Sequence, residues 1–220
     1  MGKLLKYSKL SNKSIRQVIE YFALELTAVQ TAKQLKLNRK TVDSLYQIFR
    51  EKIANFEEQT QAVFSGEVEG DESYFGGIHK YNRGRSAKSK VPVFGLLKRK
   101  GKVYAQIVPD VKRETLLRII RTRVVPDSII YTDSWRSYDG LILDGYRHYR
   151  INHHKEFVRG KRNHINGIES FWSYAKNKLN RHYGIPAKRF YFYLKEQEFR
   201  FNHRNVRNLA KLIENILINY

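Results

Sequence analysis

Residues 66–77 of the chain read GEVEGDESYFGG. Side chains over residues 66–75 alternate in character, which predicts a β-strand with two different faces. Carboxylates are dense in this strand, at Glu67, Glu69, Asp71 and Glu72. A protein that only held a polyanion would have little use for so many acids together, so the stretch indicates chemistry rather than passive binding.

The chain beyond this strand has the pattern of a mixed α/β core. Apolar runs at 91–97 and 103–108, separated by a break at 100–102, predict a β-hairpin. The later elements are predicted in this order: a helix over 115–125, a buried strand over 128–132, a helix over 135–143, a strand over 146–151, and helices from 163 onward with a break at 184–186. This order predicts a mixed sheet flanked by helices.

Two further carboxylates are placed where they can meet the first strand. Asp133 ends the buried strand SIIYTD, and Glu169 lies on the helix that begins near residue 163. Carboxylates at the ends of neighbouring strands, faced by a helix carboxylate, can hold two divalent ions through hard oxygen ligands, which Mg²⁺ prefers. The pattern therefore predicts a metal site formed by Asp71, Asp133 and Glu169.

The helix that carries Glu169 offers more than one polar group on the same face. Asn166 and Lys176 lie three residues before and seven residues after Glu169, so all three share one side of a helix. This face would present a carboxylate, an amide oxygen and a cation for a phosphate. The alternative is that Glu169 only forms surface ion pairs with its basic neighbours.

Composition points to a nucleic-acid partner. The 220 residues include 42 Lys and Arg against 21 Asp and Glu, for a formal net charge of +21. A folded, aromatic-rich chain with this charge is typical of a protein that binds a polyanion, with nucleic acid as the first candidate. The sequence has no cysteine, which excludes disulfides and thiolate metal sites and is consistent with an intracellular, cytoplasmic protein. No apolar run is long enough for a membrane span.

Residues 79–90, HKYNRGRSAKSK, form a strongly basic segment without periodicity. The composition predicts an exposed hairpin loop. The loop would also suit contact with a DNA backbone, through Arg83, Arg85, Lys88 and Lys90. The two interpretations are compatible.

Residues 1–60 predict a small all-α region of the helix-turn-helix kind. A short helix capped by Thr27 precedes a turn at 36–38, and Asn38 caps a longer helix that opens with Arg39 and Lys40. The second helix of such a motif enters the DNA major groove, so these two basic residues are predicted to contact DNA. A plain three-helix packing module with a basic surface is the alternative.

Several motifs together resemble one family. They are GEVEGDESYFGG (66–77), VFGLLKRKGKVY (93–104), YTDSWRSYDGL (131–141), HINGIESFWSYAKNKL (164–179) and YLKEQEFRFNHR (193–204). The chain is similar to bacterial insertion-sequence transposases of the DDE superfamily, in the group with a D-E-S-Y-F-G-G motif. The resemblance implies an RNase H-like catalytic domain over 62–205, leaving 206–220 as a C-terminal helix. It also implies metal-dependent DNA cleavage at element ends and 3′-OH strand transfer.

By position, the resemblance makes Asp71, Asp133 and Glu169 the catalytic residues and ligands of two Mg²⁺ or Mn²⁺ ions. Some relatives use an asparagine as third ligand, so Asn166 is a rival to Glu169. Glu72 is a rival to Asp71, although neighbouring strand residues face opposite sides. Relatives often have a basic residue near the active site that contacts DNA, as Lys176 would. A homodimer or larger assembly is expected because two element ends must meet.

His164 lies near the start of the helix of Glu169 and is expected beside the active centre, in contact with a phosphate or a metal-bound water. A structural role as a cap or in a turn is the alternative. Relatives often carry an N-terminal zinc ribbon, which a cysteine-free chain cannot form. Recognition of the element ends would then fall to the N-terminal helices.

Three other functions remain open from the sequence. A non-catalytic helix-turn-helix regulator would bind DNA without cutting it. An RNase H-like nuclease would cut without strand transfer. A tyrosine recombinase, suggested by the 15 tyrosines, would form a covalent adduct without metal.

Overall fold

The computed structural model describes residues 4–5, 8–60, 63–76, 90–133, 145–151, 165–182 and 184–220. The chain forms two compact units, one of Met1–Gln61 with Pro186–Tyr220 and one of Ala62–Ile185. The elements follow in chain order: α1 (Asn12–Ala23), α2 (Ala28–Leu35), α3 (Arg39–Gln59), β1 (Glu67–Phe75), β2 (Val91–Lys98), β3 (Val103–Ile107), α4 (Arg113–Arg123), β4 (Ile129–Asp133), β5 (Arg147–Ile151), α5 (Asn166–Asn180), α6 (Ala187–Asn202) and α7 (Leu209–Asn219).

These elements match the sequence-based ones with small shifts at their ends. The helix predicted over 135–143 and most of the basic loop over 79–90 lie outside the described residues. None of the helices in the described parts of the chain is both long and apolar enough to cross a membrane.

The N-terminal helices begin with the predicted caps. The Thr27 hydroxyl accepts the Gln30 N–H, and the Gln30 side chain accepts the Thr27 N–H, which forms a capping box at the start of α2. Lys36 ends α2 in the left-handed conformation, and the Asn38 side chain accepts the Lys40 N–H to start α3. The order of short helix, turn and long helix is that predicted for a helix-turn-helix.

A buried ion-pair network joins α1, α3 and α6. A Glu196 carboxylate oxygen lies 2.6 Å from Arg50 Nε, and the other lies 2.8 Å from Arg200 Nε. Arg200 also donates to the carbonyl oxygens of Ala23 and Phe22 at the end of α1. Burial alone would raise the pKa of Glu196, but the charges and hydrogen bonds of the two arginines outweigh burial and lower this pKa to about 2.

Contacts group the last two helices with the N-terminal helices. The sequence-based interpretation grouped residues 62–205 with the sheet and set 206–220 apart. In the structure the whole segment Pro186–Tyr220 belongs to the helical unit, where α6 packs on α3, and α7 packs on α1 and α3. The physical reason is that Glu196 and Arg200 of α6 are buried charges whose partners lie on the N-terminal helices.

The second unit is built on a five-stranded sheet with the order β3-β2-β1-β4-β5. The β1–β2 and β2–β3 pairs are antiparallel, whereas β1–β4 and β4–β5 are parallel. A tight turn joins β2 to β3, with Lys100 at a left-handed φ of 60°. Three antiparallel strands extended by two parallel strands in this order form an RNase H-like sheet, so the predicted fold class is confirmed.

Different helices cover the two faces of this sheet. Val68 and Phe94 point towards α4 and form an apolar core there with Leu116. The other face carries α5, and Trp172 of that helix contacts Asp71 of β1. Because side chains alternate along a strand, each second residue of β1 points towards α5. The sheet therefore separates the apolar core under α4 from the α5 face, which bears Asp71.

Candidate active site

Asp71 and Asp133 lie on neighbouring parallel strands. Glu69 of β1 pairs with Tyr131 of β4, and two residues further along each strand come Asp71 and Asp133. Because a shift of two residues keeps a side chain on the same face, both aspartates point to the α5 side of the sheet. Both are half-buried, and Asp133 is the last residue of β4. The parallel pairing of β1 with β4 thus brings together two carboxylates that are distant in sequence.

Glu169 reaches the same face because α5 packs closely on the sheet. Asp71 pairs in register with Gly95 of β2, and the indole ring of Trp172 occupies the space above this glycine. A Cβ atom added to Gly95 would lie 2.5 Å from that ring. The indole Nε1 donates to Asp71 Oδ2 at 3.1 Å. Glu169, three residues before Trp172, is exposed and close enough for its charge to act on Asp71.

The three carboxylates interact electrostatically. The pKa of Asp71 is raised from 3.8 to about 6, mainly by burial and in part by the negative charges of Asp133 and Glu169. Hydrogen bonds from the Glu72 backbone and the Trp172 indole favour the ionised form and oppose the rise. A carboxylate that is this difficult to ionise favours a nearby cation, because a positive charge offsets both burial and repulsion.

The donor set is chemically suited to a hard divalent cation. Asp71, Asp133 and Glu169 offer carboxylate oxygens, and Asn166, exposed as the first residue of α5, offers an amide oxygen. In the described parts of the chain, no three acidic or histidine side chains are grouped closely enough to hold an ion as they stand. The carboxylates therefore share an electrostatic environment without forming a closed set of ligands.

Comparison with known proteins decides the family. A family model described as the ISXO2-like transposase domain matches residues 63–202. The chain belongs to the ISXO2-like transposase family. An uncharacterized transposase-like protein of Haemophilus influenzae is 46% identical over 118 residues, which make up 54% of this chain and 95% of that protein. The transposase predicted from the sequence motifs is thereby confirmed.

Solved structures give more distant likenesses of this transposase. The crystal structure of the Mos1 strand transfer complex aligns with a TM-score of 0.38 and 13% identity, over 98% of this chain and 82% of that one. The Mos1 mariner paired end complex with Mn aligns with a TM-score of 0.31 and 13% identity, over 92% of this chain and 78% of that one.

The structure separates Asp71 of this transposase from its rival Glu72. Adjacent strand residues point to opposite faces, so Glu72 lies on the side away from Trp172. The charge of Glu72 acts on that side. The pKa of Tyr74 is raised mainly by burial and, in second place, by the negative charge of Glu72. Of the two neighbours, Asp71 is the one that shares a face with Asp133.

Two residues that support the site were not predicted from the sequence. Trp172 is buried in the core, and its indole also bonds Asp71. Glu69 is 1% exposed, and its carboxylate accepts the Ile168 N–H of α5 at 2.9 Å. Strand alternation does place Glu69 on the face of Asp71, so the sequence held one indication of it. No sequence pattern identifies the partner of the Trp172 indole.

Four of the eight residues predicted to contact DNA are described by the structure, and all four are exposed. Arg39 and Lys40 are exposed at the start of α3, and Lys90 is exposed just before β2. Lys176 is exposed on α5, with its ammonium group 5.7 Å from the centre of the Phe75 ring. The other four predicted contacts lie outside the described residues: Arg83, Arg85, Lys88 and His164.

Proposed function

We propose that this transposase cuts DNA at the ends of its element and joins the freed 3′-hydroxyl to target DNA, using Asp71, Asp133 and Glu169 as catalytic residues. The main support is that Asp71 and Asp133 lie on one face of neighbouring parallel strands, with Glu169 on the helix packed on that face and close enough for its charge to act on Asp71. In a strongly basic chain, three carboxylates that meet at one place differ from acids scattered singly over the surface.

Asp71, Asp133 and Glu169, with Asn166 as a further oxygen donor, would hold two Mg²⁺ or Mn²⁺ ions. Such ions, when bound, activate an attacking hydroxyl and stabilise the leaving oxygen of a phosphodiester. The three carboxylates supply the negative charge that retains cations in front of a polyanionic substrate. Trp172 holds Asp71 in orientation through the indole hydrogen bond.

Basic residues would supply most of the affinity for DNA. Lys176, on the same helix face as Glu169, would bind a phosphate beside the cleavage position. The exposed Arg39 and Lys40 at the start of α3 would contact the element ends. The overall charge of +21 implies affinity that falls steeply with salt. Because two ends are joined in one reaction, we propose a dimer or larger assembly on DNA.

The decisive experiment is cleavage of duplexes that carry the element ends, with Mg²⁺ or Mn²⁺ and the full-length protein. Asp71→Asn, Asp133→Asn and Glu169→Gln should each lower cleavage by more than about 100-fold, because ligands matter more than the outer residues that orient them. DNA binding should persist, and Glu72→Gln, on the opposite face, is the matched control. If Glu169→Gln kept full activity and Asn166→Ala lost it, Asn166 rather than Glu169 would be the third ligand.

Strand transfer is tested separately with pre-cut ends that already carry a 3′-hydroxyl. Joined products that require the same three carboxylates are expected, since one site performs both steps. Cleavage without any joining would favour a nuclease. DNA binding that survives Asp133→Asn with no cleavage by the wild type under any metal condition would favour a non-catalytic regulator.

A further inference from the structure

We infer that Glu69 is a positioning residue that fixes the start of α5 and thereby places Glu169 beside Asp71 and Asp133. The inference rests on the proposed function, because it assigns Glu69 a part in assembling that same site. Glu69 does not act on the substrate, and its effect passes through Glu169.

The start of α5 depends on Glu69, because the described residues give this helix no side-chain cap of its own. Ile165 occupies the N-cap position and provides no side-chain hydrogen bond to the helix. The first backbone N–H groups of a helix need partners from elsewhere. The buried Glu69 carboxylate meets this need from β1, accepting the Ile168 N–H at 2.9 Å. A negative charge at this end is also favourable to the helix dipole.

Gly167 lets the helix approach this carboxylate. A Cβ atom at Gly167 would lie 2.7 Å from Glu69 Oε2 and 3.0 Å from Leu97 Cδ2. Only a residue without a side chain therefore fits between α5 and the sheet at this point. Gly167 is two residues before Glu169, so the close approach is made within the turn that carries the catalytic carboxylate.

Arg99 connects Glu69 to the third element of the site. Arg99 Nε donates to Glu69 Oε1 at 3.0 Å, which compensates a charge that is almost fully buried. The guanidinium group of Arg99 lies 3.7 Å from the centre of the Tyr131 ring, and Tyr131 precedes Asp133 by two residues on β4. Glu69 is thus linked to β1, β4 and α5, the three elements that carry the catalytic carboxylates.

Glu67 is a close control for Glu69. It lies on the same face of the same strand and also pairs with Arg99, at 3.3 Å. Its side chain is 46% exposed and bonds Arg99 and Tyr131 rather than α5. Glu67→Gln therefore removes an equal charge from the same arginine and leaves the contact with the helix intact.

The first test measures amide exchange at Ile168 in the metal-free, full-length protein. Glu69→Gln keeps the shape of the side chain but removes its charge, so exchange of the Ile168 N–H should accelerate by about tenfold. Glu67→Gln should leave it unchanged. Unchanged exchange at Ile168 in Glu69→Gln would overturn the proposed hold on α5.

The second test measures Mn²⁺ affinity by calorimetric titration in a double-mutant cycle. Glu69→Gln should weaken Mn²⁺ binding by about tenfold. It should have no further effect in a Glu169→Gln background, because its role passes through Glu169. Gly167→Ala, which presses on Glu69 from the helix side, should show the same dependence.

If Glu69→Gln weakened Mn²⁺ binding equally in the wild-type and Glu169→Gln backgrounds, Glu69 would give only general structural support and the inference would be overturned. An unchanged Mn²⁺ affinity in Glu69→Gln would also overturn it. If the wild type itself bound no Mn²⁺, the proposed metal mechanism would fail instead. The exchange rates at Ile168 would then decide alone whether Glu69 holds the helix.

Discussion

The indole N–H of Trp172 donates to Asp71 Oδ2 at 3.1 Å, so a core residue of α5 directly holds a carboxylate of β1. The ring fits above Gly95, where no side chain is present, and lies 5.9 Å from the Phe75 ring in an edge-on arrangement. The same side chain therefore packs the helix on the sheet and orients an acid of the active site.

Trp172→Phe should raise the pKa of Asp71 further above its value of about 6. The substitution keeps an aromatic ring but removes the hydrogen bond that favours the ionised carboxylate. Carboxyl chemical shifts followed against pH in the metal-free protein measure the change. Tyr74→Phe, on the other face of β1, is the control and should leave the titration of Asp71 in place. A fall in the pKa of Asp71 would contradict the role of the indole.

Asp71→Asn should be more stable than the wild type at about pH 8, by up to about 3 kcal/mol. The folded-state pKa of about 6 lies above the ordinary 3.8, so the stability linked to protonated Asp71 is complete below the lower value and is lost as pH rises through the higher one. The difference should therefore shrink towards about pH 4. Denaturant titrations across this range measure it.

Asp110→Asn provides a control of opposite sign for that series. Hydrogen bonds from the Thr115 hydroxyl and the Lys112 N–H lower the pKa of Asp110. The asparagine variant should therefore be less stable than the wild type at neutral pH, with the deficit disappearing as the pH falls. If the stability difference from the wild type changed with pH in the same direction in Asp71→Asn and Asp110→Asn, the difference would not come from the titration of these two aspartates.

Gly95→Ala should displace Trp172 and destabilise the sheet unit by about 1–3 kcal/mol, the usual effect of overpacking a core. The added Cβ would meet the indole at 2.5 Å and Ile168 Cδ1 at 2.9 Å. Gly70→Ala is the matched control, since its Cβ would make ordinary contact with Leu96 Cδ2 at 3.5 Å. The unfolding temperature and the rate of DNA cleavage should both fall in Gly95→Ala. Equal losses in both variants would contradict this account.

Glu196→Ala should destabilise the helical unit by about 3–5 kcal/mol, because it leaves two buried arginines without their carboxylate. The pKa of about 2 for Glu196 lies below the ordinary 4.5, so this stability is present above the ordinary value and is lost as pH falls towards 2. Asp43→Asn, which breaks an exposed pair with Arg39, should change stability by less than about 0.5 kcal/mol. Urea unfolding at several pH values checks both.

Arg39→Ala combined with Lys40→Ala should weaken binding to element ends and lower the salt dependence of that binding. Each phosphate contact that is lost reduces the slope of log K against log salt by about 0.9. Both residues are exposed, so the unfolding temperature should not change. Lys13→Ala, an exposed lysine of α1, is the charge control. Unchanged affinity in the double variant would favour the plain packing module over DNA recognition by α3.

Features that depend on neighbouring residues could be predicted from the sequence. Thr27 and Asn38 were identified as caps because a cap bonds a backbone N–H two or three residues away. The placement of α6 could not be predicted in this way. The placement of α6 depends on the ion pair between Glu196 and Arg50, which is distant in the sequence. The helical period of α6 does not show which unit buries the Glu196 charge.

For the site, the sequence alone determined that Asp71, Asp133 and Glu169 were the candidate acids, since strand ends, helix spacing and family motifs are local patterns. Only the tertiary structure decided that Glu69 supports α5 and that Trp172 bonds Asp71. The physical reason is that a hydrogen bond depends on distance and direction. Those were set when α5 packed onto the sheet, where Gly95 of β2 and Gly167 of α5 leave room for the close contact.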